Sequence, residues 1–265
     1  MPFEELKQRQ SVMWGNGPYH RISDTIADIH ELVIEQLAPK AGDAFLDLAC
    51  GTGSVSARAA HAGASVTGVD LAPVLIDTAK ERAAADGLAI DYAVGDCENL
   101  VLADASFDKA SSTCGIMFAP DHAATARELA RVVRPGGRIA LANWTLEGGL
   151  GRMFGMMAPF QPKPPEGVGS PFAWGNEAHV ESLLGDSFDL DFERHISVLR
   201  TRDGEEYWQI FSTSYGPTKT LAESLGDERR EELHRAWVDF FETEYGIDGG
   251  IVHDREYLLV LGTRR

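Results

Sequence analysis

Three carboxylates end three apolar runs. Asp47 closes the charged part of "AFLDLAC" (44–50), Asp70 ends "SVTGVD" (65–70) and Asp96 ends "IDYAVGD" (90–96). The first run breaks into Cys50-Gly51-Thr52-Gly53. Two glycines one residue apart give permissive dihedrals and bare amides where a helix begins, so a ligand can press against the backbone there. Asp70, 17 residues beyond Gly53, can accept from both hydroxyls of a ribose. It can equally cap the helix that starts near Pro73. Asp96, in "GDCENL", can accept from an adenine amino group while the next amide, that of Cys97, donates to the ring. Such a set reads an adenosine.

These residues need a frame that brings strand ends together. Apolar strands at 44–50, 65–70, 90–96, 107–115 and 138–144 alternate with helical patterns at 54–63, 72–87 and 121–133. That alternation predicts parallel βαβ units with helices on both sheet faces. Asp121 is the expected cap of the third helix, which should stop before Pro135-Gly136-Gly137. In such a sheet, ligands bind beyond the carboxyl ends of the strands. After Trp144 the rhythm changes. "EGGLGRMFGMMAPFQPKPPEGVGSPFAWGNE" reads as a helix and a long loop of lid type. A strand at 191–200, helices near 204–214, 217–225 and 228–245, and a closing strand at 255–265 complete the chain.

A dinucleotide enzyme would share the first two features. Its fingerprint wants a third glycine at G-x-G-x-x-G, and here that place is Ser56. A pyrophosphate binder also has no use for "GDCENL".

Composition narrows the class. The chain has 265 residues, 44% hydrophobic and 25% charged, which is a globular balance. A net charge of −17 argues against a nucleic-acid or anionic-membrane partner. Three scattered cysteines, Cys50, Cys97 and Cys114, form neither a disulfide framework nor a metal cluster, and no histidine pair has zinc-like spacing. No metal is expected. The polar opening "MPFEELKQRQ" and the lack of a spanning apolar run lead us to expect a soluble, cytoplasmic protein with no membrane partner. The sequence says nothing of oligomeric state.

The stretches "FLDLACGTGS", "VTGVDLAP", "YAVGDCENL", "FDKASSTCGIMFAPD" and "ELARVVRPGGRIALANW" resemble a class I S-adenosylmethionine-dependent methyltransferase of the ubiquinone/menaquinone-methylase-like (methyltransferase type 11) group. They come in the family's order and cover roughly residues 40–145. "MWGNGPYHRIS" (13–23) resembles the helical segment that closes over the cofactor in that group. The resemblance implies an α/β, doubly wound, mostly parallel seven-stranded sheet with an antiparallel last strand and a helical lid. It implies S-adenosylmethionine as cofactor and S-adenosylhomocysteine as product. By resemblance, Ala49, Cys50, Gly51 and Gly53 lie against the methionine part and Asp47 orders that turn. Asp70 holds the ribose, Leu71 packs on the adenine, and Asp96 and Cys97 read its edge. Ser112 and Thr113 meet the methionyl amino group, while Tyr19 and Trp14 close the other side. Lys109 departs from the family's apolar pattern, which suggests that part of its strand reaches solvent.

The resemblance divides a single domain into a lid (1–35), a cofactor core (40–145), a lid or substrate insertion (146–190) and completing elements (191–265). The expected reaction is in-line transfer to a small-molecule acceptor, with the protein positioning reactants and excluding water. His122, and next His20, are candidate general bases. Met117, Phe118, Trp144, Trp174 and His179, with the Met-rich "RMFGMMAPF", are the expected acceptor pocket, suited to a hydrophobic or aromatic molecule. A non-catalytic S-adenosylmethionine binder on the same fold is the alternative.

Overall fold

The computed structural model describes residues 3–265. Three helices come first: α1 (Glu4–Trp14), α2 (His20–Asp24) and α3 (Ala27–Leu37). The alternating unit follows as β1 (Ala44–Leu48), α4 (Ser54–His61), β2 (Ser65–Asp70), α5 (Pro73–Ala85), β3 (Asp91–Val94), β4 (Phe107–Thr113), α6 (His122–Val132) and β5 (Val133–Trp144). Then come α7 (Gly149–Met157), α8 (Glu177–Leu184), β6 (Phe188–Thr201), α9 (Gly204–Ser214), α10 (Gly216–Ser224), α11 (Asp227–Tyr245), β7 (Gly246–Ile247) and β8 (Gly250–Arg264).

The strands lie in the order β3-β2-β1-β4-β5-β8-β6, with β7 paired to β8. β1 to β5 are mutually parallel, and β8 runs antiparallel to both β5 and β6. The expected doubly wound sheet with a reversed last strand is present. Strand order reverses between β1 and β4, so the crevice for a ligand opens at their carboxyl ends. β1 is apolar but for Asp47, and its last four residues are buried, as a central parallel strand requires.

Local chemistry sets the boundaries. The Asp121 carboxylate accepts from the Ala124 amide at 2.8 Å and starts α6. Pro135-Gly136-Gly137 does not separate helix from strand as expected. β5 starts at Val133, pairs with Phe107, and resumes pairing only at Arg138 opposite Lys109. The residues between bulge outward, where Pro135 has no amide to offer and Gly136 takes a φ of 77°. Lys109 does not reach out to solvent. Its ammonium lies 2.7 Å from Asp43 and donates to the Ala38 carbonyl at 2.6 Å, fastening the foot of β4. The segment after Trp144 is more ordered than a loop. Asn176 accepts from the His179 amide at 3.1 Å and starts α8, which the sequence reading did not anticipate.

α9 and α11 pack through Tyr207, stacked on Phe241 at 3.9 Å and on Phe211 at 4.9 Å between ring centroids. The N-terminal helices are held between this group and the sheet. Asn16 donates to Thr220 of α10 at 3.0 Å, and Gln10 of α1 donates to the Phe118 carbonyl at 2.9 Å.

Candidate active site

The chains leaving β1 and β4 turn sharply at the same level. Ala49 and Cys114 both take a φ of 52°, a left-handed conformation that side chains disfavour. The loops touch there, since a Cβ on Gly115 would sit 2.5 Å from that of Ala49. Beside them lies a cavity with about 930 Å³ of space between atoms, counting the open solvent at its mouth. Its walls come from α1 (Lys7, Gln10, Trp14), the turn and helices after it (Tyr19, Ser23, Ile26, His30), the end of β1 and the turn into α4 (Asp47, Ala49, Cys50, Gly51, Ser54, Val55), the ends of β2 and β3, and the loop after β4.

Asp70 is buried and makes two backbone bonds: Oδ2 accepts from the Gly51 amide at 2.8 Å and Oδ1 from the Ala72 amide at 2.9 Å. It therefore braces the glycine turn and caps α5 while facing the cavity. Burial raises its pKa, partly offset by those amides. Asp47 accepts from the Ser56 amide (3.0 Å), the Ser56 hydroxyl (2.6 Å) and the Ser111 hydroxyl (2.9 Å). Ser56, in place of the third glycine of a dinucleotide fingerprint, thus ties α4 to β1. Burial pushes the Asp47 carboxyl up to about 6 despite these donors. Asp96 receives the Lys7 ammonium at 2.7 Å and the Glu98 amide at 2.9 Å, and Lys7 also pairs with Glu98. This buried ion group fastens α1 over the tip of β3.

The two glycines have different neighbours. A Cβ on Gly51 would lie 3.4 Å from the Tyr19 ring, so Tyr19 covers this turn. A Cβ on Gly53 would overlap the Tyr92 hydroxyl. Gly53, with a φ of 82°, serves packing beneath α5 and does not line the cavity. Of the expected cofactor residues, Trp14, Tyr19, Asp47, Ala49, Cys50, Gly51, Asp70, Leu71, Asp96, Cys97 and Thr113 do line it. Ser112 lies behind, its hydroxyl accepting from the Ile116 amide at 3.1 Å.

The expected acceptor residues divide. Phe118 lines the cavity, with its ring 4.8 Å from that of Trp14. Met117, Trp144 and Trp174 are buried in the core and do not line the cavity. His122 and His179 meet each other, Nδ1 to Nε2 at 3.0 Å, against Trp174. They too are off the cavity wall. A Cβ on Gly169 would fall within 3 Å of the His122 ring, so backbone covers it. Burial, aided by His179, holds His122 down to about 4, a poor base at neutral pH. His20 is half-buried and is not on the wall either.

Sequence reading missed Lys7, Gln10, Ser23, Ile26, His30 and Tyr215. Lys7, Gln10 and Trp14 recur at i, i+3 and i+7, a helical face visible in the sequence. Tyr215 gave no such signal; folding sets its ring 5.7 Å from Trp14 and 6.4 Å from Tyr19. Among the described residues, no cluster of His, Cys, Asp and Glu could hold a metal ion, and no helix is long and apolar enough to cross a membrane.

A family model described as a methyltransferase domain matches residues 46–141, which contain the last three residues of β1, the glycine turn, Asp70, Asp96 and β4. Methyltransferase GfsG of Streptomyces halstedii is 33% identical over 245 residues, covering 89% of this chain and 84% of that protein. The chain belongs to the methyltransferase family. This methyltransferase is also 35% identical over 267 residues to an uncharacterized protein of Mycobacterium tuberculosis, across 99% of this chain and 96% of that one. Solved structures share its fold. A putative methyltransferase of Bacillus halodurans superposes with a TM-score of 0.63 at 19% identity, over 88% of this chain and 97% of that one. Geranyl diphosphate methyltransferase in complex with its methyl donor superposes with a TM-score of 0.55 at 18% identity, over 90% and 85%. S-adenosylmethionine is the cofactor of the family, and the cavity fits it in kind: carboxylates for hydroxyls and amines, apolar side chains for a ring, and bare backbone at the glycine turn.

Proposed function

We propose that this methyltransferase acts on a small hydrophobic or aromatic acceptor seated among Trp14, Tyr19, Phe118 and Tyr215. The observation that supports this reading is the aromatic set itself. Trp14 stands 4.8 to 5.9 Å from the other three rings, and three of the four line the cavity. Flat apolar walls select a flat or greasy partner. Electron-rich ring faces also favour a neighbouring cation.

Asp96 and the Cys97 amide would hold the adenine, Asp70 the ribose, and Asp47, Ala49 and Gly51 the methionine part. When bound, S-adenosylmethionine supplies an activated methyl group. The residues of the chain then act by placement: α1 and Tyr19 keep water out, and the aromatic set aligns the acceptor. Burial holds the Tyr19 and Tyr215 phenols protonated, so neither takes a proton from the acceptor. His122 and His20 stand off this wall. The acceptor therefore brings its own reactive form, such as a phenolate or a free amine. The net charge of −17 supports a small acceptor over nucleic acid.

The test is methyl transfer to a panel of phenols, amines and hydrophilic acids, read by mass spectrometry, for the native protein and Phe118→Ala. Turnover of apolar phenols or amines is expected. Phe118→Ala should raise the acceptor KM by roughly tenfold or more, with cofactor affinity unchanged. Turnover confined to hydrophilic or macromolecular acceptors would overturn the reading.

A further inference from the structure

His30 has no part in the reading above. It lies on α3, is 4% exposed, and lines the cavity. Neither ring nitrogen bonds a described residue. The residue is buried, yet its ring nitrogens are not sealed in the protein; they open onto the cavity, where a ligand can meet them.

The surroundings say which kind of partner. Ser23 and Ser54 lie on the same wall, their hydroxyls bonded to each other at 2.9 Å. In the first turn of α4 the Ser56 amide is taken by Asp47, while the amides of Ser54 and Val55, both lining residues, bond no described residue, a setting that favours negative charge. Arg58 of α4 and Arg82 of α5 both bias His30 toward its neutral form. Each arginine also faces a carboxylate, Arg58 that of Glu31 at 3.8 Å and Arg82 that of Asp24 at 3.9 Å. Asp47 and Asp70 line the wall, and both already accept from the protein: Asp47 from Ser56 and Ser111, Asp70 from the Gly51 and Ala72 amides. The far side of the cavity, at the tip of β3, holds Lys7 already paired with Asp96 and Glu98.

We propose that His30 recognises the carboxylate at the amino-acid end of the methyl donor, donating a ring N–H to it beside the first turn of α4. The assignment rests on the donor lying in this cavity. The carboxylate is the donor's anionic group, and the unpaired first-turn amides of α4 favour it. His30 is not the missing base. Burial, with Arg58 and Arg82 adding to it, holds its ring near 3, too low to take a proton at neutral pH. Its role is to bind and orient.

The experiment is calorimetric titration of the full chain with S-adenosylmethionine and with decarboxylated S-adenosylmethionine, which lacks only that carboxylate. Native protein, His30→Leu and His30→Gln are compared, each checked for cooperative unfolding. His30→Leu should lose roughly tenfold to a hundredfold in affinity for S-adenosylmethionine and nothing for the decarboxylated form. His30→Gln, which keeps an N–H donor, should restore much of the loss. Equal losses for both ligands, or none for either, would overturn the assignment. Failure of the native protein to bind either ligand would instead overturn the placement of the donor in this cavity, and the role of His30 with it.

Discussion

Two regions at the carboxyl ends of the sheet hold residues capable of chemistry, and they are built in opposite ways. At the cavity, Asp47, Asp70 and Asp96 bond backbone amides, serines and a lysine around open space. At the second region, His122, His179 and Trp174 pack on one another, and Gly169 lies against the His122 ring. Both contain desolvated titratable groups. Only the first leaves room for a ligand. Perturbed ionisation thus marks burial, and function follows where burial borders a void.

The comparison can be broken in several ways, taken from the largest effect down. Trp174→Ala should cost about 4 kcal/mol of stability while leaving S-adenosylhomocysteine affinity within a factor of about two. Urea unfolding and calorimetry would check it; a parallel loss of affinity would mean that the regions are one site. The pH dependence of stability should differ in sign. Asp47 is held at about 6 against an ordinary 3.8, so between those values the native state binds the proton more tightly than the unfolded chain. Its contribution falls by about 3 kcal/mol as pH rises through that window. His122 is held at about 4 against 6.5, so there the unfolded chain binds the proton. Its contribution falls, also by about 3 kcal/mol, as pH drops below 6.5. Asp47→Asn and His122→Asn should each erase one of these slopes in urea titrations between pH 4 and 8. A common sign would refute the contrast. Smallest in energy, Asp70→Ala should weaken S-adenosylhomocysteine binding by tenfold to a hundredfold, about 1.4–2.7 kcal/mol, with unfolding still cooperative. In the same assay, His122→Asn should change neither affinity nor kcat; a slowed turnover would restore it as a base.

Much of the cavity was legible because its parts are local. The glycine turn, Asp70 and "GDCENL" each sit at a strand end, and strand ends follow from alternating periods. Distant partners were not legible. Lys7 meets Asp96 across 89 positions, and no pattern in either segment announces the other. His122 was chosen for its place at the sheet's carboxyl edge and His179 for following the proline-rich loop, yet whether Gly169 lies over His122 depends on how that loop folds back. The Met-rich segment was read as a binding wall. Met153 and Met157 are instead fully buried in the core, for apolar spacing on a helix does not say what covers it.

Every cysteine of the chain, Cys50, Cys97 and Cys114, lines the same cavity, each from the end of a different strand. Burial holds the thiols protonated, Cys97 as high as about 12, so they alkylate slowly. The sulfurs themselves pack into the protein, Cys50 beside Tyr92 and Ile76 and Cys97 3.9 Å from the Thr125 hydroxyl. With no sulfhydryl elsewhere, the rate at which a small electrophile tags each cysteine reports how often the fold around the cavity opens, strand end by strand end.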